Sequence, residues 1–223
     1  MNTAGLNRFC RWTQRLGLLA AGLSLVACTA LRPAKSPPPI FYALDNRPGK
    51  TVAAASVTTT RPQPTLIINP VHAAPGFDSQ RLMYVQEDHQ LAYFAHNEWV
   101  DTPARLLGPL LVAALEKTGA FGAVVATPAS VSGELRLDTS ILRLQHNFQT
   151  HPSRVQFTLR AYLTDEKTRR VLAWHEFDAE ADAPSDTPQG GVDAANAVVQ
   201  DVLGQLAQFL AISTRGAWAA PAQ

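Results

Sequence analysis

Cysteine is nearly absent from this chain, whose 223 residues contain only Cys10 and Cys28. Cys10 falls in a segment that is typical of a removable signal, so the mature chain keeps one thiol and cannot form an internal disulfide. Zinc sites built on several cysteines are excluded for the same reason. The remaining residues are numerous enough for one domain whose core needs neither a disulfide nor a metal.

Motifs for the common enzyme and cofactor chemistries are also absent. The sequence contains no Gly-x-Ser-x-Gly, no Walker loop, no Gly-x-Gly-x-x-Gly and no acidic calcium loop. No two histidines have the i, i+4 spacing of a helical zinc motif, which favours surface or turn positions for all six: His72, His89, His96, His146, His151 and His175. A triad of Ser140 or Ser153 with a distant His and Asp stays open, because triads are assembled in space. Gly190-Gly191 either seats an anion at a helix start or gives that helix a flexible entry.

A surplus of positive charge is missing as well. Removing three of the 19 basic residues with the signal leaves 16 against 18 acidic residues. Nucleic-acid binding, which needs a basic patch or stripe, is therefore not indicated. Peripheral attachment to a membrane through basic charge alone is disfavoured on the same grounds.

A hydrophobic run long enough to span a membrane is not found near the N-terminus. The apolar residues 16–27 follow Arg8, Arg11 and Arg15, and as a helix they rise about 18 Å, short of the roughly 30 Å hydrocarbon core. The run ends in Leu-Val-Ala-Cys at Cys28, the pattern of a lipoprotein signal with cleavage between Ala27 and Cys28. We predict a covalent diacylglycerol and an N-acyl chain on Cys28, and no other cofactor. The alternatives are an ordinary cleaved signal with a coincidental cysteine and an uncleaved anchor.

The rest of the chain divides into a tether, one domain and a tail. Residues 28–39 are rich in proline and predict an extended tether. Residues 40–212 predict the domain, in which 45–64 form a mobile loop, and 213–223 predict a disordered tail.

The order of elements in the domain predicts an α+β fold. Leucines recur at helical spacing after Thr102-Pro103, with a kink or a late start at Pro109, and a second amphipathic helix ends near Ile212. The β-favouring runs are 40–44, 66–68, 81–86, 91–95, 124–125, 133–148, 154–165 and 169–179. We expect a mostly antiparallel sheet with both helices on one face. Apolar residues change parity near Ser140, which predicts a bulge there.

Aromatic residues are concentrated between positions 77 and 99. Core packing explains most of them, but an aromatic-rich hairpin also suits a partner surface. The candidate partner surface consists of Phe77, Asp78, Tyr84, Tyr93 and Trp99.

In this order the residues resemble the ABC-type transport auxiliary lipoprotein family, which includes the lipoprotein of paraquat-inducible, MCE-type lipid transport systems. The matching positions are Cys28, Phe41-Tyr42-Ala43-Leu44, Pro75-Gly76-Phe77-Asp78-Ser79, Arg81, Tyr84, Leu91-Ala92-Tyr93, Trp99, Pro103, Phe121, Val155 to Leu163, Asp165, Val171-Leu172-Ala173, Phe177 and the closing helix. The resemblance covers nearly the whole mature chain, except the alanine-rich stretch 52–60 and the tail.

The resemblance implies a periplasm-facing, non-enzymatic lipoprotein that works with an ABC ATPase, a permease and an MCE-domain protein in moving lipids or other hydrophobic molecules. Thr29 stands where an aspartate retains lipoproteins in the inner membrane, which implies the outer membrane. Our leading hypothesis is a docking adaptor that forms a homo-oligomer around the conduit. The rivals are a pilotin-like or synthase-activating lipoprotein and a small periplasmic hydrolase.

Overall fold

Three long strands, two of which alternate between buried and half-buried residues over most of their length, form the centre of this fold. The computed structural model describes residues 36–45 and 63–219. The predicted signal, Cys28, most of the tether and loop residues 46–62 lie outside the described residues. The elements are β1 Ile40–Tyr42, β2 Thr65–Ile68, β3 His72–Ala73, β4 Arg81–Val85, β5 Leu91–Trp99, α1 Pro103–Glu116, β6 Ala123–Ala126, β7 Leu135–Asn147, β8 Arg154–Asp165, β9 Val171–Asp182 and α2 Pro188–Ala219.

The three long strands β7, β8 and β9 pair antiparallel in sequence order. On β8 the apolar residues Val155, Phe157, Leu159, Ala161 and Leu163 are all buried. They alternate with polar residues that are half-buried except for the buried Thr158, as a sheet with one covered and one solvated face requires. The apolar residues of β8 therefore mark its core face.

A bulge in β7 re-aims its side chains, as the parity change predicts. The register with β8 shifts between Ile141 and Arg143. Leu137 and Ile141 are buried before the shift, and Leu144 is buried after it. The extra residue lets the strand keep its apolar side chains on one face although their sequence parity changes.

The sheet is mixed, which the sequence analysis did not foresee. The β2, β3 and β4 strands line up one after another along one edge of β7, all parallel to it. The short β1 joins β5 in parallel and β6 joins β2 in parallel. The longest pairings, β7 with β8 and β8 with β9, are antiparallel, as is β4 with β5, so the expectation of a mostly antiparallel sheet is confirmed, with short parallel strands added to it. Among the described residues β6 pairs with β2 alone, which places 124–125 in an edge strand.

Both helices pack on the same face of the sheet, as predicted, and contact each other. Leu107, Leu111 and Leu115 of α1 belong to one core cluster with the apolar stripe of α2, in which Val202, Leu206 and Leu210 are fully buried. Within residues 36–45 and 63–219, no helix is long and apolar enough to cross a membrane.

The ends of the helices correct two predictions. The α1 helix begins at Pro103 and runs through Pro109, so the late start is wrong. It ends three residues before Gly119, whose φ of 60° suits a glycine. The α2 helix continues to Ala219, so a disordered tail from residue 213 is wrong for 213–219, where the buried Thr214 extends the packed stripe. Residues 220–223 lie outside the described part.

Replacing Leu159 with Asp tests the assignment of the two sheet faces. The Leu159 side chain has no exposed surface, so the variant buries an unpaired carboxylate and loses at least about 3 kcal/mol of folding free energy. Thr164→Asp, on the other face of the same strand, is the control and changes stability by less than about 1 kcal/mol. Urea unfolding measures both, and equal midpoints would show that the faces are assigned backwards.

Candidate functional site

The face of the sheet opposite the helices carries a lattice of polar side chains. In β8 and β9, Arg160 donates to Glu176 at 2.7 Å, Thr158 to Asp178 at 2.6 Å, and Gln156 to Glu180 at 2.6 Å. Each pair lies directly across the antiparallel register, which is why the side chains meet. We call this surface the helix-free face.

Aromatic and apolar side chains are exposed on the same face at the β4–β5 hairpin. Leu91 and Tyr93 are 42% and 47% exposed, and the Arg81 guanidinium lies 3.9 Å above the Tyr93 ring. The turn of residues 75–79 lies against Leu91, since a Cβ on Gly76 would come within 3.3 Å of the Leu91 side chain. We call Phe77, Asp78, Arg81, Leu91 and Tyr93 the hairpin patch.

The five residues of the predicted partner surface do not all reach one surface. Asp78 and Tyr93 are exposed and Phe77 is half-buried. Tyr84 instead packs on Phe94, with ring centroids 4.6 Å apart. Trp99 is only 4% exposed, so its assignment to a partner surface is wrong: it ends β5 on the core side.

A small cavity beneath the start of α2 is too small for a substrate. Its volume is about 20 Å³, and its lining includes Leu82, Phe94, Trp99 and His146. A space of that size holds at most one water molecule.

The structure does bring a serine, a histidine and an aspartate together beside this cavity. Ser153 Oγ lies 2.8 Å from His146 Nε2, and the Asp186 carboxylate accepts from the Ser153 N–H at 3.2 Å. Hydrogen bonds from the Ser153 hydroxyl and N–H hold the pKa of Asp186 below its ordinary value.

This arrangement differs from a nucleophilic triad in the place of its carboxylate and in its burial. The Asp186 carboxylate contacts the serine instead of His146 Nδ1. Within the described ranges, Nδ1 has no hydrogen-bond partner. Ser153 has no exposed surface, so no substrate can reach its hydroxyl. The cluster instead joins the β7–β8 turn to the segment before α2.

The two glycines at the start of α2 allow close packing. Gly190 N–H donates to Thr187 Oγ1 at 3.1 Å, and Gly191 N–H to the Thr187 carbonyl at 2.9 Å. Both N–H groups therefore have acceptors within the chain and are not available to bind the anion considered in the sequence analysis. A Cβ on Gly191 would collide with the His146 ring, so glycine is required there by the close approach.

Metal binding finds no support in the part of the chain that the structure describes. No three His, Cys, Asp or Glu side chains in it are placed to hold an ion. Five of the six histidines are exposed, as predicted, and His146 at 4% is the exception.

A groove of about 460 Å³ runs between β1 and α2. Asn196 of α2 lies in this groove and forms two hydrogen bonds to the segment that follows β1. Its Oδ1 accepts from the Asp45 N–H at 2.8 Å, and its Nδ2 donates to the Ala43 carbonyl at 3.2 Å. Gln200 adds a bond of 3.4 Å to the Asp45 carbonyl. Sequence reasoning missed these hydrogen bonds, because they join residues about 150 positions apart.

Acid should weaken the fold through His146. Burial lowers the pKa of His146 below its ordinary 6.5, so the unfolded chain takes up a proton at pH values where the folded chain does not. Stability therefore falls as the pH drops below about 6.5, by at most about 1.4 kcal/mol per pH unit. His146→Gln, whose amide can still hydrogen-bond to Ser153, flattens this slope in urea unfolding between pH 5 and 8. His96→Gln, at an exposed histidine of β5 outside the cluster, is the control, and an unchanged slope in His146→Gln would contradict the assignment.

The fold is shared with solved structures of low sequence identity. A protein from Xanthomonas campestris, of the family DUF330, is 19% identical with a TM-score of 0.70, and the match covers 81% of this chain and 99% of that one. A second crystal structure, of an uncharacterized protein, is 13% identical with a TM-score of 0.60, over 78% and 99% of the two chains. No curated protein matches the sequence.

The sequence itself matches a family described as the ABC-type transport auxiliary lipoprotein component. The match runs over residues 42–207, from the end of β1 to the middle of α2. It therefore includes the sheet, the helix-free face and the hairpin patch. The chain belongs to the ABC-type transport auxiliary lipoprotein family.

Proposed function

We propose that this protein is a non-catalytic, lipid-anchored docking adaptor of an ABC/MCE-type system that transports lipids or other hydrophobic molecules across the cell envelope. Membership of the auxiliary lipoprotein family carries this proposal. The acyl anchor on Cys28 holds the domain at the outer membrane, facing the periplasm. Thr29 in place of aspartate supports the outer membrane over the inner one.

The geometry of the domain supports a non-catalytic role. In the serine–histidine–aspartate cluster the serine and the histidine are buried, and the carboxylate contacts the serine instead of orienting the histidine. The cavity beside it has room for a single water molecule. Apart from the groove between β1 and α2, the large accessible features of the described chain are surfaces, which suits a subunit that binds proteins.

We assign the docking of the MCE-domain protein to the hairpin patch. Aromatic and arginine side chains dominate the energetics of protein interfaces, and Tyr93 with Arg81 above it supplies both. Both residues belong to strands that pair with each other, so their backbone is already ordered and little conformational entropy is lost when a partner binds. The ABC ATPase and permease join through the MCE protein, and several copies of the adaptor surround the conduit.

Replacing Cys28 with Ala tests the anchor. Without the thiol no thioether can form, so the variant loses fatty-acid labelling, and the chain is either released to the periplasm or kept with its signal. Metabolic labelling with a fatty acid, followed by membrane fractionation, measures both. Continued labelling of the variant would contradict the assignment of Cys28.

Co-purification tests the docking role. The wild-type chain, isolated from its own envelope, should carry an MCE-domain protein with its ATPase and permease, and Tyr93→Ala should reduce their recovery at least about tenfold, since a central aromatic contact is worth about 2 kcal/mol. Val131→Ala, which truncates a side chain 53% exposed elsewhere, is the control. Recovery of a pilus or synthase machine instead would contradict the proposal, as would equal recovery by both variants.

A further inference from the structure

The turn between β8 and β9 ends in a patch that is both apolar and basic. The turn residues 166–170 carry Lys167, Arg169 and Arg170, and the strand that follows begins with Val171, Leu172 and Trp174. We call Lys167, Arg170, Val171, Leu172 and Trp174 the basic tip. It lies at the opposite end of β8 from the β7–β8 turn.

The apolar half of the basic tip is unusually exposed. Val171, Leu172 and Trp174 are 55%, 38% and 60% exposed, and these four consecutive positions hold three of the ten large exposed hydrophobic side chains in the described ranges. The register shift at the end of the β8–β9 ladder leaves Leu172 without an opposite residue on β8. Trp174 is held by stacking on Tyr162, with ring centroids 6.3 Å apart. An exposed cluster of this kind marks an interaction site.

The charges at the basic tip leave a positive surplus. Glu166 is paired with Arg136 and Arg169, at 2.5 Å and 3.2 Å. The Asp165 carboxylate accepts from the N–H and hydroxyl of Thr168. Lys167 and Arg170 have no carboxylate within 4.0 Å in the part of the chain that is described. The two cations that point outward are therefore available to an anionic partner.

The remainder of β9 has the opposite charge. Glu176, Asp178, Glu180 and Asp182 all lie on the helix-free face, and only Arg154 and Arg160 pair with them by ion pairs. An anionic surface is therefore attracted at one end of β9 and repelled at the other. This polarity restricts such contact to the tip.

We propose that the basic tip is a membrane contact, which inserts Trp174, Val171 and Leu172 into the interface of an anionic bilayer. Tryptophan favours the interfacial region of a membrane, aliphatic side chains gain by leaving water, and Lys167 and Arg170 meet anionic headgroups. The proposal rests on the proposed function in one respect, because the acyl chain on Cys28 is what brings the domain to a bilayer. The chain enters the domain at Ile40, whose strand lies beyond β4 and β5 from β7.

Quenching of Trp174 by brominated lipids tests the proposal. The full chain with its own anchor is reconstituted into vesicles of phosphatidylcholine alone or mixed with phosphatidylglycerol, with brominated acyl chains in both. Trp174→Phe is measured in parallel, and the difference from the parent isolates Trp174 from the other tryptophans. We expect quenching of Trp174 in the anionic vesicles. In Lys167→Gln/Arg170→Gln the equilibrium constant for contact falls about 25-fold, which is about fivefold for each charge.

Controls separate this test from the test of the anchor. Arg105→Gln removes an exposed cation from the start of α1 and leaves the quenching unchanged. Loss of all vesicle association would contradict the proposed acyl anchor. Vesicle-bound protein in which Trp174 is not quenched would overturn only the membrane contact of the basic tip. Equal quenching in neutral vesicles would overturn it as well. If Trp174→Ala dissociates an oligomer in the absence of vesicles, a second copy covers the tip and the proposal is wrong.

Discussion

The structure depends on the burial of the apolar stripe of α2 against one face of β7, β8 and β9. Val202, Leu206 and Leu210 of the helix and Phe157, Leu159 and Leu163 of β8 have no exposed surface. Apolar burial is the main stabilising term for a domain without cross-links. Because α1 and α2 both use the same face, the other face of the sheet is left to polar side chains and to partners. The helices thus determine which face of the sheet is accessible for binding.

Local patterns predicted the parts of the fold that are set by local interactions. Three patterns indicate correctly which side of an element is buried. They are the alternation on β8, the change of parity in β7 and the leucine spacing of α1. The parallel alignment of β2, β3 and β4 along β7 depends on contacts between residues far apart in the chain. These three strands are too short for their sequences to indicate the direction of pairing, so the parallel part of a mostly antiparallel sheet was not predicted.

The candidate site was predictable only in part for a related reason. The sequence shows that aromatic residues are concentrated at the β4–β5 hairpin. Which of their side chains are exposed depends on the tertiary packing. Tyr93 is exposed, whereas Trp99 on the same strand is buried beneath the helices. His146, Ser153 and Asp186 come from three separate segments, so their meeting could not be read from spacing. The partner of the Asp186 carboxylate and the burial of Ser153 then distinguish a structural cluster from a catalytic one, a distinction that sequence cannot make.

The helix-covered face of the domain provides stability, and we propose that the helix-free face binds the partners. Hydrogen exchange of the chain in its own membranes, with and without the MCE-type transport complex, tests this division most directly. The account predicts that the complex slows exchange in Leu91–Trp99 of β5 and leaves the interior of α2 unchanged. Protection confined to the outer side of α2, with β5 exchanging as in the free chain, would contradict it.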